Sequence, residues 1–130
     1  MGRPIERDDP LAEAMPPWRL FFDPRGRIGR ATFWLYGVGA LLGLGVMGHL
    51  LLGIARVRQE TAEHIVNLLL AWPAIATSAK RWHDRDKSGW WVLVVLVPVV
   101  GWLFALVHNG LLRGTPGPNR FGPPPPATGL

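Results

Sequence analysis

The residues best equipped for chemistry lie in one stretch, Lys80-Arg81-Trp82-His83-Asp84-Arg85-Asp86-Lys87-Ser88-Gly89-Trp90-Trp91. His83 is a candidate general base, and a carboxylate such as Asp84 can orient an imidazole. Neighbours in sequence usually point different ways on a helix, however, and no Ser-His-Asp or Cys-His grouping accompanies them. The chain has no cysteine, which removes thiolate catalysis, disulfides and Cys-based metal sites. Enzyme activity is therefore not expected.

Two other chemistries are open to the charged residues. Arg81, His83, Asp84, Arg85 and Lys87, with Arg25, Arg27 and Arg30, would compose a basic surface for anionic lipid headgroups, each Lys or Arg contributing about 1 kcal/mol. His49, His64 and His108 would fall on the opposite side, where imidazoles bind zinc or copper or titrate near pH ~6.5. That set lacks a carboxylate or thiol, so no metal and no cofactor are expected. The structural reading is the stronger one. Lys80 and Arg81 precede Asp84 by four and three residues, so charge pairs form on one helical face. Ser88 caps the next helix and Gly89 relaxes the turn. The stretch then acts as a clamp that fixes how two helices meet, with tryptophans holding its depth.

The elements that must position it are three apolar runs. No Asp, Glu, Lys or Arg occurs over residues 31–55, 65–79 or 88–112, and 48% of the 130 residues are hydrophobic. A transmembrane helix needs about 20 mainly apolar residues. The expected spans are 31–55, 61–82 and 90–112, within a membrane domain over 18–113. A cleaved signal peptide is not expected, because the first run is too long and starts too late. Residues 1–17 read as a disordered tail and the Pro/Gly-rich residues 114–130 as an extended, exposed one. Around Trp18, Leu20, Phe21 and Phe22 the chain forms either a segment lying among headgroups or a packed turn.

Gly39 and Gly43 lie on one face of the first span, and Ala71, Ala74 and Ser78 offer a small-residue face on the second. Pro73 predicts a kink. Pro98 and Gly101 interrupt the third run, which is either one kinked span or two re-entrant limbs; its length favours one crossing. Eight basic residues (Arg19, Arg25, Arg27, Arg30, Lys80, Arg81, Arg85, Lys87) then fall on one side and four (Arg56, Arg58, Arg113, Arg120) on the other. The positive-inside rule places the N-terminus in the cytoplasm and the C-terminal tail outside. The net charge of +5 flanks apolar runs instead of clustering, so nucleic acid is not expected as a partner.

Three stretches together resemble one family. Gly26-Arg27 with Arg30 and Phe33-Trp34 is similar to its first motif. Arg81-Trp82-His83-Asp84 with Lys87-Ser88-Gly89-Trp90-Trp91 is similar to its central motif, and Gly114-Thr115-Pro116-Gly117 with Asn119-Arg120-Phe121-Gly122-Pro123 to its closing one. The family is the YhaH/YhaI-like set of small bacterial inner-membrane proteins, a domain of unknown function (DUF805), and the resemblance covers about residues 18–124. Trp82 departs from it, standing where an aliphatic residue is common. The resemblance implies a multi-pass inner-membrane location and brings no activity with it.

The resulting expectation is an all-α integral membrane protein, a small bundle of about three transmembrane helices. Its role would be structural or envelope-associated; the alternative is a small oligomeric transporter or channel component. The partners indicated are membrane lipids, with anionic headgroups on the cytoplasmic side, and further copies of the chain.

Overall fold

The computed structural model describes residues 16–125. Pro17 opens α1 (Pro17–Phe22), where its fixed φ suits a first helical turn. Leu20 is buried, while Trp18 and Phe22 face outward.

The first apolar run forms α2 (Arg30–Ile54), which is π-helical over Phe33–Ala40 and α-helical thereafter. Its 25 residues at about 1.5 Å each give about 37 Å, enough for roughly 30 Å of hydrocarbon. Among the described residues it is the one helix that is both long and apolar enough to cross a membrane. It stops at Ala55 and Arg56, whose φ of 61° begins a Schellman closure. The N–H of Val57 returns to the Leu52 carbonyl at 2.9 Å and that of Arg56 to Gly53 at 3.0 Å.

Helix α3 (Gln59–Asp84) runs back antiparallel to α2 and continues through a buried Pro73. Gly37, Gly45 and Gly48 let the two helices approach: an added Cβ would meet Thr77 at 3.4 Å, Leu70 at 3.4 Å and Val66 at 3.1 Å, respectively. With buried Leu41 these positions are spaced four, four and three apart, one stripe of a helix. The expected Gly39–Gly43 face is not the interface. Gly43 has nothing within 4 Å, and Ala71 and Ala74 are exposed, because both sets lie off that stripe.

The third run is not one helix: the span expected over 90–112 is broken in its middle. Gly89–Leu96 is a 3-10 helix, and α4 occupies Val100–Leu111. Between them Val99 takes φ 62° and ψ −65°, and the Val100 N–H closes on the Pro98 carbonyl at 2.7 Å. This is a γ-turn of the sterically disfavoured hand. The limbs then lie side by side: the Trp91 and Phe104 rings are 5.9 Å apart, and Trp102 Nε1 donates to the Val95 carbonyl at 2.9 Å. Gly101 sits directly on the Val94 carbonyl, leaving no room for a side chain. Proline without an N–H makes the break, and glycine permits the approach. At 12 residues, α4 is about 18 Å long, too short to cross alone.

The doubled-back hairpin closes around Trp82, which is fully buried. Its ring faces those of Trp91, Phe104 and His108 at 5.9, 5.9 and 5.6 Å. Both ends of the third run therefore lie at the Arg81–Asp84 end of α3. Residues 114–122 dock there as well, not at the far end where the closing tail was expected, although Pro116, Gly117, Pro118 and Arg120 are exposed. The 1–17 tail falls almost wholly outside the described residues, as do residues 126–130.

Candidate functional site

Helix α3 ends as α2 does. Asp86 takes φ 56°, and Lys87 N–H bonds the Trp82 carbonyl at 2.9 Å while Asp86 N–H bonds that of His83 at 2.9 Å, a second Schellman closure. This termination fixes Asp84 in the last turn, one turn beyond Arg81 and fully inside the protein. Asp84 Oδ2 accepts from Arg81 Nη1, and Oδ1 accepts from Arg27 Nε at 3.0 Å. The Arg81, Arg27 and Asp84 side chains are 0%, 1% and 4% exposed.

Arg27 reaches this position from the turn before α2, where Gly26 holds φ 100°. Its remaining N–H groups are directed at the closing motif: Gly117 O at 2.8 Å, Thr115 O at 2.8 Å and Gly122 O at 3.3 Å. Thr115 in turn donates its N–H to the Asp84 carbonyl at 2.7 Å. Gly117 and Gly122 have φ of 66° and 124°, which turn those carbonyls inward. Gly114 packs so closely on the Asp84 carboxylate that a Cβ has no space. A buried carboxylate between two buried guanidiniums needs every remaining donor satisfied, and the closing motif supplies the acceptors.

Arg81 also faces the end of α4. The last carbonyls of a helix have no internal partner. Here five successive carbonyls each accept from a side chain: Asn109 and Leu112 from Arg81, Gly110 from Trp34 Nε1 at 2.9 Å, Leu111 from Arg30 at 3.0 Å and Arg113 from Arg85 at 2.6 Å. Cations at a helix C-terminus also complement its dipole. Arg30, Trp34 and Arg81, three motif residues, thus hold one end of the re-entrant hairpin.

His83 and Asp84 do not pair. His83 Nδ1 is 3.0 Å from the Gly26 carbonyl, so it carries the proton, and its ring stacks on Phe121 at 4.0 Å. Asn119 ties the same region, donating to the His83 carbonyl at 2.9 Å and to Thr115 Oγ1 at 2.8 Å. It also exchanges backbone bonds with Gly122 across a tight turn, at 3.1 Å each way. Arg120 reaches Asp86 at 3.2 Å. Ser88 Oγ accepts from the Trp90 N–H at 3.4 Å, and Lys87 lies over the Trp91 ring at 5.2 Å. Gly89 meets Ala79 and His83, Phe33 packs edge-on against Trp34, Trp90 is 78% exposed, and Pro123 borders a cleft with Trp18 and Arg25.

A comparison with family models now decides what this arrangement belongs to. The model described as Protein of unknown function (DUF805) matches residues 21–123. The chain belongs to the DUF805 family. Among its relatives, the inner membrane protein YhaH of Escherichia coli (strain K12) is 39% identical over 104 residues, covering 78% of this chain and 85% of the relative. The inner membrane protein YhaI of the same strain is 33% identical over 102 residues, covering 77% and 83%. No solved structure matches. The DUF805 match begins just before the Arg27 turn and ends just after Gly122, so it takes in every part of the clamp.

Within this fold one expected grouping loses members and another does not form. Arg27 and Arg81 are enclosed, so neither belongs to an exposed headgroup surface; Arg30 and Arg113 remain exposed. The histidines do not share a side: His108 stacks against Trp82 at the clamp end, while His49 bonds the Gly45 carbonyl of its own helix at 2.8 Å. Among the described residues no group of three or more His, Asp or Glu gathers for a metal.

Of the two charge pairs expected with Asp84, only that of Arg81 forms; Lys80 is buried instead, and its ammonium donates to the Arg19 and Leu20 carbonyls and docks α1. Trp72 Nε1 adds a bond to the Phe22 carbonyl at 2.8 Å. Backbone acceptors leave no residue pattern that points to such partners. In the turn before α2, outside the helices, Arg25 bonds Asp23 and holds its carboxyl down at about 2.

Proposed function

We propose that the chain is a multi-pass inner-membrane protein with a structural, non-enzymatic role in the envelope. In this reading α2 and α3 are two full crossings, the third run is a re-entrant hairpin, and the three motifs lock that hairpin to the cytoplasmic end. The observation that carries it is the use of Asp84 by both Arg27 and Arg81. Charged groups spent on holding backbone and on one another are not poised for turnover. The relatives YhaH and YhaI, named as inner membrane proteins, support the membrane.

Charge supports the orientation. With the closing motif at the clamp end, Arg113 and Arg120 join the eight basic residues already there, leaving Arg56 and Arg58 at the other end. That asymmetry favours a cytoplasmic clamp and N-terminus. At the break the Val97, Val100 and Gly101 N–H groups are bonded to nearby carbonyls, which lowers the cost of irregular backbone in hydrocarbon. The test is a pair of topology reporters. One fused after Leu130 is expected to read cytoplasmic and one inserted at Arg58 periplasmic; a periplasmic reading after Leu130 rejects the re-entrant form.

A transport role is the second reading, favoured by the broken third run, since interrupted helices line solute paths in transporters. Solute or ion flux in vesicles reconstituted with the purified protein would promote it over the structural one.

A further inference from the structure

A cavity of about 610 Å³ lies between α2, α3 and the re-entrant hairpin, a size typical of small-molecule sites. Val38, Ala74, Trp102 and Ala105 are among its apolar walls. Leu93 and Leu106, which also line it, are 51% and 44% exposed, so the cavity opens to whatever surrounds the helices. At this depth in a bilayer the surroundings are acyl chains.

Its clamp-side end is bordered by Trp34 and Asn109. Arg30 stands one turn before Trp34 and touches the Leu111 carbonyl two residues beyond Asn109, so a cation marks the rim. Among the described residues no carboxylate meets that charge. Arg19, Arg25, Arg27, Arg81 and Arg120 each meet a carboxylate. Arg30 forms no ion pair among the described residues and, being exposed, keeps guanidinium donors free beyond the one on Leu111. An apolar space open to lipid, with an unpaired arginine at its headgroup-side rim, is complementary to one class of molecule.

We propose that this cavity binds one anionic phospholipid, with an acyl chain between α2, α3 and the hairpin and the phosphate on Arg30. The proposal rests on the membrane reading above. It separates Arg30, which faces a ligand, from Arg27 and Arg81, which face only the protein.

The test is native mass spectrometry of the full chain after extraction in mild detergent and exchange into phosphatidylglycerol or phosphatidylethanolamine. One phosphatidylglycerol per chain is expected to be retained in preference to phosphatidylethanolamine. Arg30→Gln should cut that preference about fivefold, the equivalent of one arginine at a charged surface. Arg30→Lys should keep it, which a loss of the Leu111 contact alone would not allow. Val38→Phe and Ala105→Phe fill the cavity from opposite walls and should each abolish retention with helical circular dichroism unchanged. Equal retention of the two lipids, retention in both filled variants, displacement by glycerol phosphate alone, or a lipid-free dimer would each overturn the site. Release of the chain from membranes without detergent would instead reject the membrane reading.

Discussion

Arg27 and Asp84, 57 positions apart in sequence, meet in a buried ion pair at 2.9 Å. The pair joins the turn before α2 to the last turn of α3, and Arg81 and the closing motif complete its coordination. Removing one partner of a buried pair leaves an uncompensated charge, and here two guanidiniums would be left. Asp84→Ala is expected to cost about 3–5 kcal/mol, read as a loss of thermal stability in detergent. A loss below about 1 kcal/mol would show that the clamp is solvated.

The closing motif should be held chiefly by Asn119 and Thr115. Asn119→Ala removes the bonds to His83 and Thr115 and is expected to cost about 1–2 kcal/mol. Limited proteolysis should then cut within residues 114–123, while α2 and α3 stay intact. Unchanged protection would place the anchoring elsewhere.

Two glycines should respond oppositely to alanine. At Gly101 the new methyl meets the Val94 carbonyl at a distance no side chain tolerates, so Gly101→Ala should spread the hairpin and cost about 3 kcal/mol. At Gly43 nothing lies within 4 Å, and Gly43→Ala should be neutral or stabilise by up to about 1 kcal/mol through helix propensity. Paired melting curves test both.

Val99 carries a β-branched side chain at φ 62°, a conformation costing on the order of 1–3 kcal/mol. Val99→Gly is expected to relieve this strain and raise the melting temperature. A lower melting temperature would mean that the valine's contacts outweigh the strain.

Asp23 should stay ionised far into acid. Its carboxyl is lowered from 3.8 to about 2 by Arg25, so its contribution is present above the unfolded value and is lost as pH falls from about 3.8 toward 2. Carbon-detected NMR titration should follow that midpoint, and Arg25→Gln should return it toward 3.8.

How far the sequence revealed this arrangement depends on what each feature is made of. Helix α2 was legible because 25 residues without charge admit few other forms. The Arg81–Asp84 contact was legible as a three-residue spacing, and the family resemblance is borne out by the match over residues 21–123. The glycine interface was readable but misplaced: Gly37, Leu41, Gly45 and Gly48 form the stripe, whereas Gly39 and Gly43 make a more familiar pattern. The hairpin was one of two forms left open, because a run of one-span length fits a single crossing and a doubled-back pair equally well. Only the local choice at Pro98, Val99 and Gly101 decides between them. Arg27 with Asp84, and the arginines on the α4 carbonyls, were out of reach, since long-range pairs and side-chain bonds to backbone oxygens have no spacing rule.

The dependence of Arg27 on Thr115, Gly117 and Gly122 sets an order of events in synthesis. Arg27 can reach Asp84 once residue 84 has been made, but its bonds to the carbonyls of Thr115, Gly117 and Gly122 wait for the closing motif. The turn that precedes α2 is thus completed only by the last motif to be made.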